Sequence, residues 1–239
     1  MTGAVSVRVS TIPVQGAGAG PSPSTALHSI RVQPIPFIAA RRLIVKNHYL
    51  HSMPGGTKLV FGALVNGRLS GAIAFGSGPA NAYQLVSGTT PEDCLTLTRL
   101  WLSDELPSNS ESRVISICLR ALKKHTKVKF LVSYADPSQG HMGTIYQATG
   151  WLYTGLSEAM PMFDLGDGKV RHSRSLSHSY GTHSIKHFES CGTRVKVIPQ
   201  PRKHRYIYLL DKSLRPDLTV KELPYPKKEE GMVWGYGMQ

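Results

Sequence analysis

Residues 130–153 read FLVSYADPSQGHMGTIYQATGWLY, and this segment decides how the chain folds. Its apolar run from 128 to 134 predicts a buried strand. The strand ends at Asp136 because the next residue, Pro137, cannot continue a hydrogen-bonded ladder. The spacing of apolar residues then predicts a helix over 139–149, followed by another strand. Ligands of open α/β sheets bind beyond the carboxyl ends of strands, so Asp136 is a candidate functional residue.

The flanking sequence predicts the other elements of a mixed sheet. A strand over 28–33 precedes a helix over 37–47, and Asn66-Gly67 between two apolar runs is a strong hairpin signal. A strand over 94–102 leads to a helix whose start is predicted at Ser108, because Ser108 and Glu111 have capping-box spacing. With a last strand over 206–211, this order predicts an α/β fold. We expect a mixed central β-sheet flanked by helices, with an insertion between the last two strands.

The composition indicates the kind of partner. The chain of 239 residues carries 28 Lys and Arg against 15 Asp and Glu, a net charge of +13. This excess predicts a polyanionic partner, and nucleic acid is the first candidate. No apolar run is long enough to span a bilayer, so no membrane span is predicted. An anionic membrane surface is the second candidate, but the sequence contains no basic amphipathic helix of the length that such binding requires. Three widely spaced cysteines predict neither a disulfide framework nor a metal knuckle, as expected in a reducing cytoplasm.

Composition also predicts the organisation of the chain. Residues 1–26 predict a flexible N-terminal tail, residues 27–212 a folded domain and residues 213–239 a C-terminal tail. Within the domain, residues 160–205 form a basic insertion, whose histidines include no convincing set of metal ligands. The nine cations of the insertion are predicted to contact DNA phosphates: Lys169, Arg171, Arg174, Lys186, Arg194, Lys196, Arg202, Lys203 and Arg205.

Arg99 lies in the middle of the predicted strand 94–102, where a buried charge requires a partner. Strict alternation would place Arg99 on the same face as Leu95, Leu97 and Trp101. As a functional residue, Arg99 would hold a carbonyl oxygen or a phosphate and stabilise developing negative charge. A structural ion pair with a carboxylate satisfies the same requirement, and the sequence leaves both interpretations open.

Three strings within residues 37–155 resemble the Mom family of phage DNA-modification proteins: NHYLHSMPGGTKLVFG, LTRLWLSDELPSNSESRVIS and VSYADPSQGHMGTIYQATGWLYTG. The order of elements and the string IYQATGW also resemble the Gcn5-related N-acetyltransferase (GNAT) fold. The family resemblance implies an enzyme that converts adenine in double-stranded DNA to 6-N-carbamoylmethyladenine. That modification protects phage DNA from restriction in the host cytoplasm. The resemblance implies functional roles for His48, Tyr49, Arg99, Asp136 and Tyr146. It also implies iron as a candidate cofactor, for which His48 with Tyr49 or with the nearby His51 is a poor ligand set.

The donor is predicted from a departure from the GNAT pattern. Acyl-CoA-binding members hold the pyrophosphate on a glycine-rich loop at a helix N-terminus. Here residues 105–113, ELPSNSESR, contain no glycine and two carboxylates, so acetyl-CoA is disfavoured. Four residues are predicted to bind the donor instead: Ser108, Asn109, Ser110 and Gln139. Glycyl-tRNA is the candidate donor, which adds tRNA to double-stranded DNA as a partner, and a homodimer is a candidate assembly.

Each predicted catalytic residue has a structural alternative. Asp136 is a candidate base for the adenine amino group or an N-cap. His48 is a second candidate base or a hydrogen-bonded residue at a helix end. Tyr49 stacks on the flipped base or orients the donor, or else packs in the core, and Tyr146 protonates the leaving group or packs the short helix. The alternative functions are an ordinary GNAT acetyltransferase of proteins or small molecules and a non-catalytic DNA-binding protein.

Overall fold

The computed structural model describes residues 29–227, apart from the side chains of residues 172, 174 and 178. In chain order the strands are β1 (Arg31–Pro34), β2 (Thr57–Val65), β3 (Arg68–Gly76), β4 (Cys94–Leu102), β5 (Phe130–Ala135), β6 (Leu152–Leu156), β7 (Met162–Asp164), β8 (Val170–His172), β9 (Lys196–Ile198) and β10 (His204–Leu209). The helices are α1 (Phe37–Asn47), α2 (Ser110–His125), α3 (Thr144–Gln147), α4 (Ser173–Tyr180) and α5 (Ile185–Ser190). None of these described helices is long and apolar enough to cross a membrane. The predicted N-terminal tail at 1–26 lies outside the described residues.

Seven strands form the main sheet, in the order β1-β2-β3-β4-β5-β10-β6. The first four strands pair antiparallel with their sequence neighbours, and β4 pairs parallel with β5. After the insertion, β10 enters the sheet between β5 and β6. The predicted fold class, a mixed α/β sheet flanked by helices with an insertion before its last strand, is therefore confirmed.

The β2–β3 hairpin forms where the sequence predicts it. Asn66 and Gly67 have φ values of 50° and 77°. Positive φ at both central residues is what a two-residue turn between twisted strands requires. Directly across this turn, Val65 pairs with Arg68.

Strand β4 separates from β5 about halfway along its length. The two strands pair only from Cys94 to Leu97 on β4, opposite Phe130 to Ser133 on β5. Beyond this point β4 continues to Leu102 in contact with β3. The parallel pair therefore opens at its carboxyl end, which is the end where α/β sheets bind ligands.

A bulge in β4 lies at the point of separation. Leu97 pairs with Phe75 and Arg99 pairs with Ala74, which leaves Thr98 as the extra residue. Thr98 Oγ1 donates a hydrogen bond to the Ala74 carbonyl at 3.1 Å. Because a bulge shifts the side-chain alternation by one residue, Leu97 and Arg99 lie on opposite faces. The prediction that they share a face is wrong.

The described chain forms two compact units. The first comprises residues 29–134, 143–155 and 205–225, and the second comprises residues 135–142, 156–204 and 226–227. In the first unit, helix α1 packs Ala40 and Ile44 against apolar residues of β2 and β3. A further cluster joins Phe130 and Val132 of β5 to Ile207 of β10. These contacts bury the apolar faces that the sequence pattern predicts.

The basic insertion makes up most of the second unit and has its own secondary structure. Its three-stranded sheet has the order β8-β7-β9, with all pairs antiparallel. Phe163 of the sheet is buried with Leu176 of α4 and Phe188 of α5. The insertion is thus a folded element with an apolar core, and its cations are carried on a defined scaffold.

The predicted helix over 139–149 is wrong in its first half. Residues Pro137–Gln139 form a 3-10 turn, and α3 covers only Thr144–Gln147. Gly140 and Gly143 have φ values of 68° and 77°. This left-handed conformation interrupts a right-handed helix at both glycines.

The predicted capping box of Ser108 and Glu111 is also wrong. Helix α2 begins at Ser110, and its N-cap is Asn109, which has a left-handed φ of 70° and forms no side-chain cap. The Ser110 hydroxyl instead donates to the Pro107 carbonyl at 2.6 Å. Ser108 therefore lies before the helix and does not cap it.

The predicted C-terminal tail is packed against the first unit over much of its length. Residues Lys212–Asp217 form a 3-10 helix, and Leu214 and Leu218 pack against the cluster around Phe130. Tyr225 donates its hydroxyl to the Trp151 carbonyl at 2.9 Å. The boundary at 213 is therefore wrong for the described residues, while residues 228–239 lie outside them.

The packing around Gly143 predicts how an added side chain at this position would change stability. A Cβ at this position would collide with the ring of Tyr206, and φ is +77°. We expect Gly143→Ala to destabilise the protein by about 2 kcal/mol or more, because it combines backbone strain with a steric clash. Gly150→Ala is the matched control, since its φ is +74° with nothing within 4 Å of an added Cβ. Chemical denaturation measures both variants, and equal losses would contradict the packing of α3 described here.

Candidate functional site

Four residues that the sequence predicts to be catalytic lie on the first unit. His48 and Tyr49 follow helix α1, Arg99 lies on β4 just beyond its pairing with β5, and Tyr146 lies on α3. The Tyr49 hydroxyl interacts electrostatically with the Arg99 guanidinium and with the Tyr146 hydroxyl. The structure therefore brings these side chains into one group, which we call the Tyr49 cluster.

His48 supports this cluster from the end of α1. Its backbone N–H caps the helix on the Ile44 carbonyl at 2.9 Å, and its Nδ1 accepts the Leu50 N–H at 3.1 Å. A neutral imidazole that accepts at Nδ1 carries its proton on Nε2, so Nε2 is a donor. The imidazole is 8% exposed. These contacts fit the helix-end interpretation of His48 and disfavour its role as a base.

The Tyr49 ring packs against the ring of the preceding residue, His48. The His48 and Tyr49 rings stack with their centroids 4.4 Å apart. Tyr49 is nevertheless 40% exposed, so the interpretation of Tyr49 as a core aromatic does not fit. An exposed aromatic ring that is fixed by a stacked neighbour is suited to contact a flat ligand.

Arg99 has neutral partners rather than a carboxylate. Its Nε donates to the Ser52 carbonyl at 2.9 Å, its Nη1 to the Thr98 carbonyl at 2.7 Å, and its Nη2 to Ser52 Oγ at 3.3 Å. Among the described residues, no Asp or Glu forms a salt bridge with Arg99. Burial lowers the pKa of Arg99, opposed by Tyr49, and the guanidinium stays charged at neutral pH. The geometry favours an anion or a polarised oxygen as its partner.

Tyr146 is 7% exposed and keeps its proton. Burial raises the pKa of Tyr146 to about 12, opposed by a hydrogen bond with Ser133 and increased by Tyr49 and Tyr206. Ser133 Oγ donates its own proton to the Leu97 carbonyl at 3.1 Å. The serine therefore accepts from the Tyr146 hydroxyl, which orders both groups at the last paired residues of β4 and β5.

The sequence prediction missed two polar residues of the cluster. Ser133 is 1% exposed and interrupts the apolar run of β5, so a hydroxyl in a buried strand was the signal that could have identified it. Ser52 lies in the loop after α1 and orients Arg99 through a contact 47 residues apart in the chain. Nothing in local sequence spacing indicates such a contact.

The predicted donor-binding residues have different environments. Asn109 and Ser110 form the start of α2, where Ser110 is 1% exposed and bonded to Pro107. Gln139 is exposed in the 3-10 turn of the second unit, and its backbone N–H donates to the Asp136 carbonyl at 3.1 Å. The roles of these residues, together with Ser108, stay predictions.

Asp136 belongs to the second unit and is fully engaged there. One carboxylate oxygen accepts from the Ser138 N–H at 3.0 Å and from its hydroxyl at 2.6 Å, and the other pairs with Lys203 at 2.8 Å. Burial raises the pKa of Asp136, but the Lys203 and Ser138 hydrogen bonds outweigh it and hold the pKa below 3.8. Asp136 is thus the N-cap of a 3-10 turn, close to the structural alternative given above. A depressed pKa makes it a weak base at neutral pH.

The nine predicted DNA-binding cations are not equivalent. Three of them contact other side chains: Arg171 pairs with Asp167, Lys203 pairs with Asp136, and Arg205 bonds to Thr154. Arg202 donates to the Ser157 carbonyl at 2.7 Å. Lys169, Lys186, Arg194 and Lys196 are exposed and form no salt bridge within the described part of the chain. The side chain of Arg174 lies outside the described residues.

The predicted iron ligands form an incomplete set. Within residues 29–227 no group of three His, Cys, Asp or Glu side chains is placed to hold a metal ion. His48 uses Nδ1 for the Leu50 N–H, and His51 Nδ1 contacts the Val45 carbonyl at 3.1 Å. The described residues therefore do not fit the iron site that the resemblance implies.

The pKa of Asp136 predicts how stability depends on pH. A carboxyl group with a lowered pKa in the folded state stabilises the protein above its unfolded pKa, and this contribution is lost as pH falls through the folded value. We expect Asp136→Asn to cost about 1–2 kcal/mol at pH 7, with the difference shrinking below pH 3.8. Thermal unfolding followed at several pH values measures this difference.

Asp211→Asn is the matched control for that experiment. Asp211 accepts from the Ser213 N–H and hydroxyl at 3.0 and 2.6 Å, as Asp136 does from Ser138, but it forms no salt bridge among the described residues. The loss in Asp211→Asn should be the smaller one. An equal loss in both variants would contradict a stabilising role for the Lys203 pair.

Comparisons with known proteins identify the family of the chain. A profile of the Mom protein family matches residues 29–227. The chain is 29% identical to the methylcarbamoylase Mom of Escherichia phage Mu over 210 residues, which cover 83% of this chain and 84% of that protein. Solved structures with some similarity include an N-acetyltransferase from Staphylococcus aureus Mu50, with TM-score 0.43 and 13% identity over 76% of this chain and 97% of the other. Another is the spermidine/spermine N-acetyltransferase SpeG of Vibrio cholerae, with TM-score 0.46 and 7% identity over 80% and 98%. Since the family profile spans most of its length, the chain belongs to the Mom protein family.

Proposed function

We propose that this protein is a transferase that modifies adenine in double-stranded phage DNA to 6-N-carbamoylmethyladenine. Family membership and the identity to a methylcarbamoylase support this reaction. The observation that carries the proposal is the Tyr49 cluster at the open end of the β4–β5 pair. It combines a buried, protonated tyrosine, an arginine without a carboxylate and an exposed aromatic ring.

The adenine base must leave the DNA duplex before its amino group can react. In the proposed complex the extruded base stacks on Tyr49, whose ring is fixed by the stacked His48. His48 stays a predicted residue of the site, with its Nδ1 used by the Leu50 N–H. Stacking on an aromatic side chain accepts any base, so selection of adenine requires further contacts with the base edge.

The 6-amino group of adenine is a weak nucleophile because its lone pair is delocalised into the ring. An acyl transfer to it therefore needs strong stabilisation of the tetrahedral oxyanion. We assign this role to Arg99, whose guanidinium is already oriented by Ser52 and Thr98. Such preorganisation avoids reorientation during the reaction.

Tyr146 is proposed as the acid for the leaving group. Its raised pKa of about 12 keeps the hydroxyl protonated at neutral pH. Ser133 accepts a hydrogen bond from the Tyr146 hydroxyl and so orients the acid before its proton is transferred. Asp136 remains a predicted catalytic residue, but with its low pKa it would act as a charged hydrogen-bond acceptor rather than a strong base.

We propose an activated glycyl ester such as glycyl-tRNA as the donor. Transfer of the glycyl group would form a glycyl amide on the 6-amino nitrogen and release the tRNA hydroxyl. The free glycyl amine would then attack C6 of the ring and expel the amide nitrogen. This rearrangement leaves the original 6-nitrogen as the terminal carboxamide and gives the carbamoylmethyl product without another reactant.

The reaction is tested by mass spectrometry of nucleosides from the DNA of cells that express the protein. Wild type should produce 6-N-carbamoylmethyladenine. Tyr146→Phe should lower the product by about 100-fold or more, because it removes the acid. Arg99→Lys keeps the charge but not the planar fork, and we expect a loss of about 100-fold. An unmodified adenine pool in the wild-type sample would overturn the proposal.

Two variants distinguish the contribution of the Tyr49 ring from that of its hydroxyl. Tyr49→Phe keeps the stacking surface and should retain most activity, whereas Tyr49→Ala should lose about 10-fold or more. The same nucleoside measurement compares the two variants. Equal activity in both would contradict stacking on Tyr49.

The donor is tested separately with isotope-labelled glycine supplied to the cells. A glycyl donor predicts that label appears in the carbamoylmethyl group. A fully modified but unlabelled base would exclude glycine as the source while leaving the modification itself established.

A further inference from the structure

A basic cavity lies on the first unit, along the C-terminal half of α2. Its volume is about 190 Å³, and Arg120 and Lys123 of α2 and Lys212 of the following 3-10 helix line it. Ser116, Thr149 and Tyr208 add polar groups to its wall. The proposed reaction uses none of these side chains.

The three cations of this cavity are not neutralised by salt bridges in the part of the chain that the structure describes. All three are exposed, and none forms a salt bridge among the described residues. Other cations of the same unit do have such partners, since Lys129 pairs with Asp93 and Arg215 with Glu222. No carboxylate lines the cavity. Convergent cations without a carboxylate form a local excess of positive potential, which favours an anionic ligand.

One acidic residue, Asp211, acts on this group but is engaged in other hydrogen bonds. Asp211 interacts electrostatically with Lys123 and Lys129, and one of its oxygens accepts two hydrogen bonds from Ser213. Thr149 donates its hydroxyl to the Ile145 carbonyl at 2.8 Å, so towards the cavity this oxygen can only accept. The binding capacity of the cavity therefore lies in its three cations.

The position on the helix indicates what kind of anion fits. The C-terminal half of a helix offers no unpaired backbone N–H groups, and its dipole disfavours an isolated anion. Binding there depends on flexible, exposed side chains, which suits the phosphates of a polyanion better than a small phosphorylated ligand. The sequence continues this charge through Lys124 and Lys127, both of which are exposed.

We propose that this cavity binds a backbone phosphate of the double-stranded DNA that carries the reacting adenine. The inference rests on the proposed function, because it takes DNA as the substrate. It assigns a DNA contact to Arg120, Lys123 and Lys212, which lie on the same compact unit as the Tyr49 cluster. The reactive group and a DNA anchor would then share one compact unit.

The test compares two triple variants that lose equal charge. Arg120→Ala/Lys123→Ala/Lys212→Ala removes the cavity cations. Arg31→Ala/Lys58→Ala/Arg68→Ala removes three exposed cations from β1–β3, at the other end of the strand order. Binding of a fluorescent duplex oligonucleotide is measured by anisotropy over a range of KCl concentrations, after circular dichroism has confirmed the fold.

We expect the cavity variant to bind duplex DNA about 10-fold more weakly than the control variant at moderate salt. The slope of log K against log [KCl] should fall by about one, as expected for the loss of one phosphate contact. The single variant Lys123→Gln should give an intermediate affinity. Equal affinity and slope in the two triple variants would overturn the proposal.

Two further outcomes separate the cavity from the proposed reaction. If wild type fails to bind duplex DNA, both proposals fall. If wild type binds and modifies DNA while the two triple variants bind equally, only the cavity assignment falls. Normal duplex binding by the cavity variant with weakened binding of a folded RNA would also overturn the assignment, and would indicate an RNA partner instead.

Discussion

Arg99 is held by carbonyl groups and a hydroxyl, without a carboxylate to neutralise it, and the candidate site depends on this arrangement. A half-buried guanidinium that has only neutral partners retains much of its electrostatic potential. Ser52 and Thr98 fix its direction but leave its charge uncompensated. An ion pair at the same position would stabilise the folded state equally well and would weaken any interaction with a ligand oxygen.

The fold supplies this arrangement through the separation of β4 from β5. The bulge at Thr98 directs Leu97 and Arg99 to opposite faces, and Leu97 and Ser133 are the last residues at which β4 and β5 pair. Ser133 then connects Leu97 to Tyr146 of α3. Gly143 permits α3 to pack against Tyr206, so a glycine outside the cluster determines where Tyr146 lies. The bulge in β4 and the close packing at the start of α3 thus position the residues of the site.

Local patterns in the sequence predict much of this fold. Apolar runs and the Asn66-Gly67 turn identify the strands of the main sheet, because burial and turn geometry are read from neighbouring residues. The incorrect predictions concern segments whose structure depends on contacts between residues far apart in the sequence. The helix over 139–149 is shortened by left-handed glycines, one of them packed on Tyr206. Leu214 and Leu218 pack on the core although the surrounding composition resembles a tail.

The candidate site likewise contains residues that the sequence identifies and contact partners that it does not. Tyr49, Arg99 and Tyr146 could be selected from the sequence through a family resemblance and the cost of a buried charge. Their hydrogen-bond partners could not, because Ser52 contacts Arg99 across 47 residues. The salt bridge between Asp136 and Lys203 also joins residues that are far apart in the sequence. Local composition predicts that Lys203 is one of the DNA-binding cations, because composition does not reveal a salt bridge between distant residues.

The central claim is that the reacting adenine is bound at the Tyr49 cluster, and photocrosslinking tests it most directly. Duplex DNA that contains 8-azidoadenine would be irradiated with the wild-type protein, and the attached peptides would be identified by mass spectrometry. The account predicts attachment within the segment that carries Tyr49, with a clear loss in Tyr49→Ala. Attachment confined to the insertion, with none at Tyr49 or Tyr146, would contradict it.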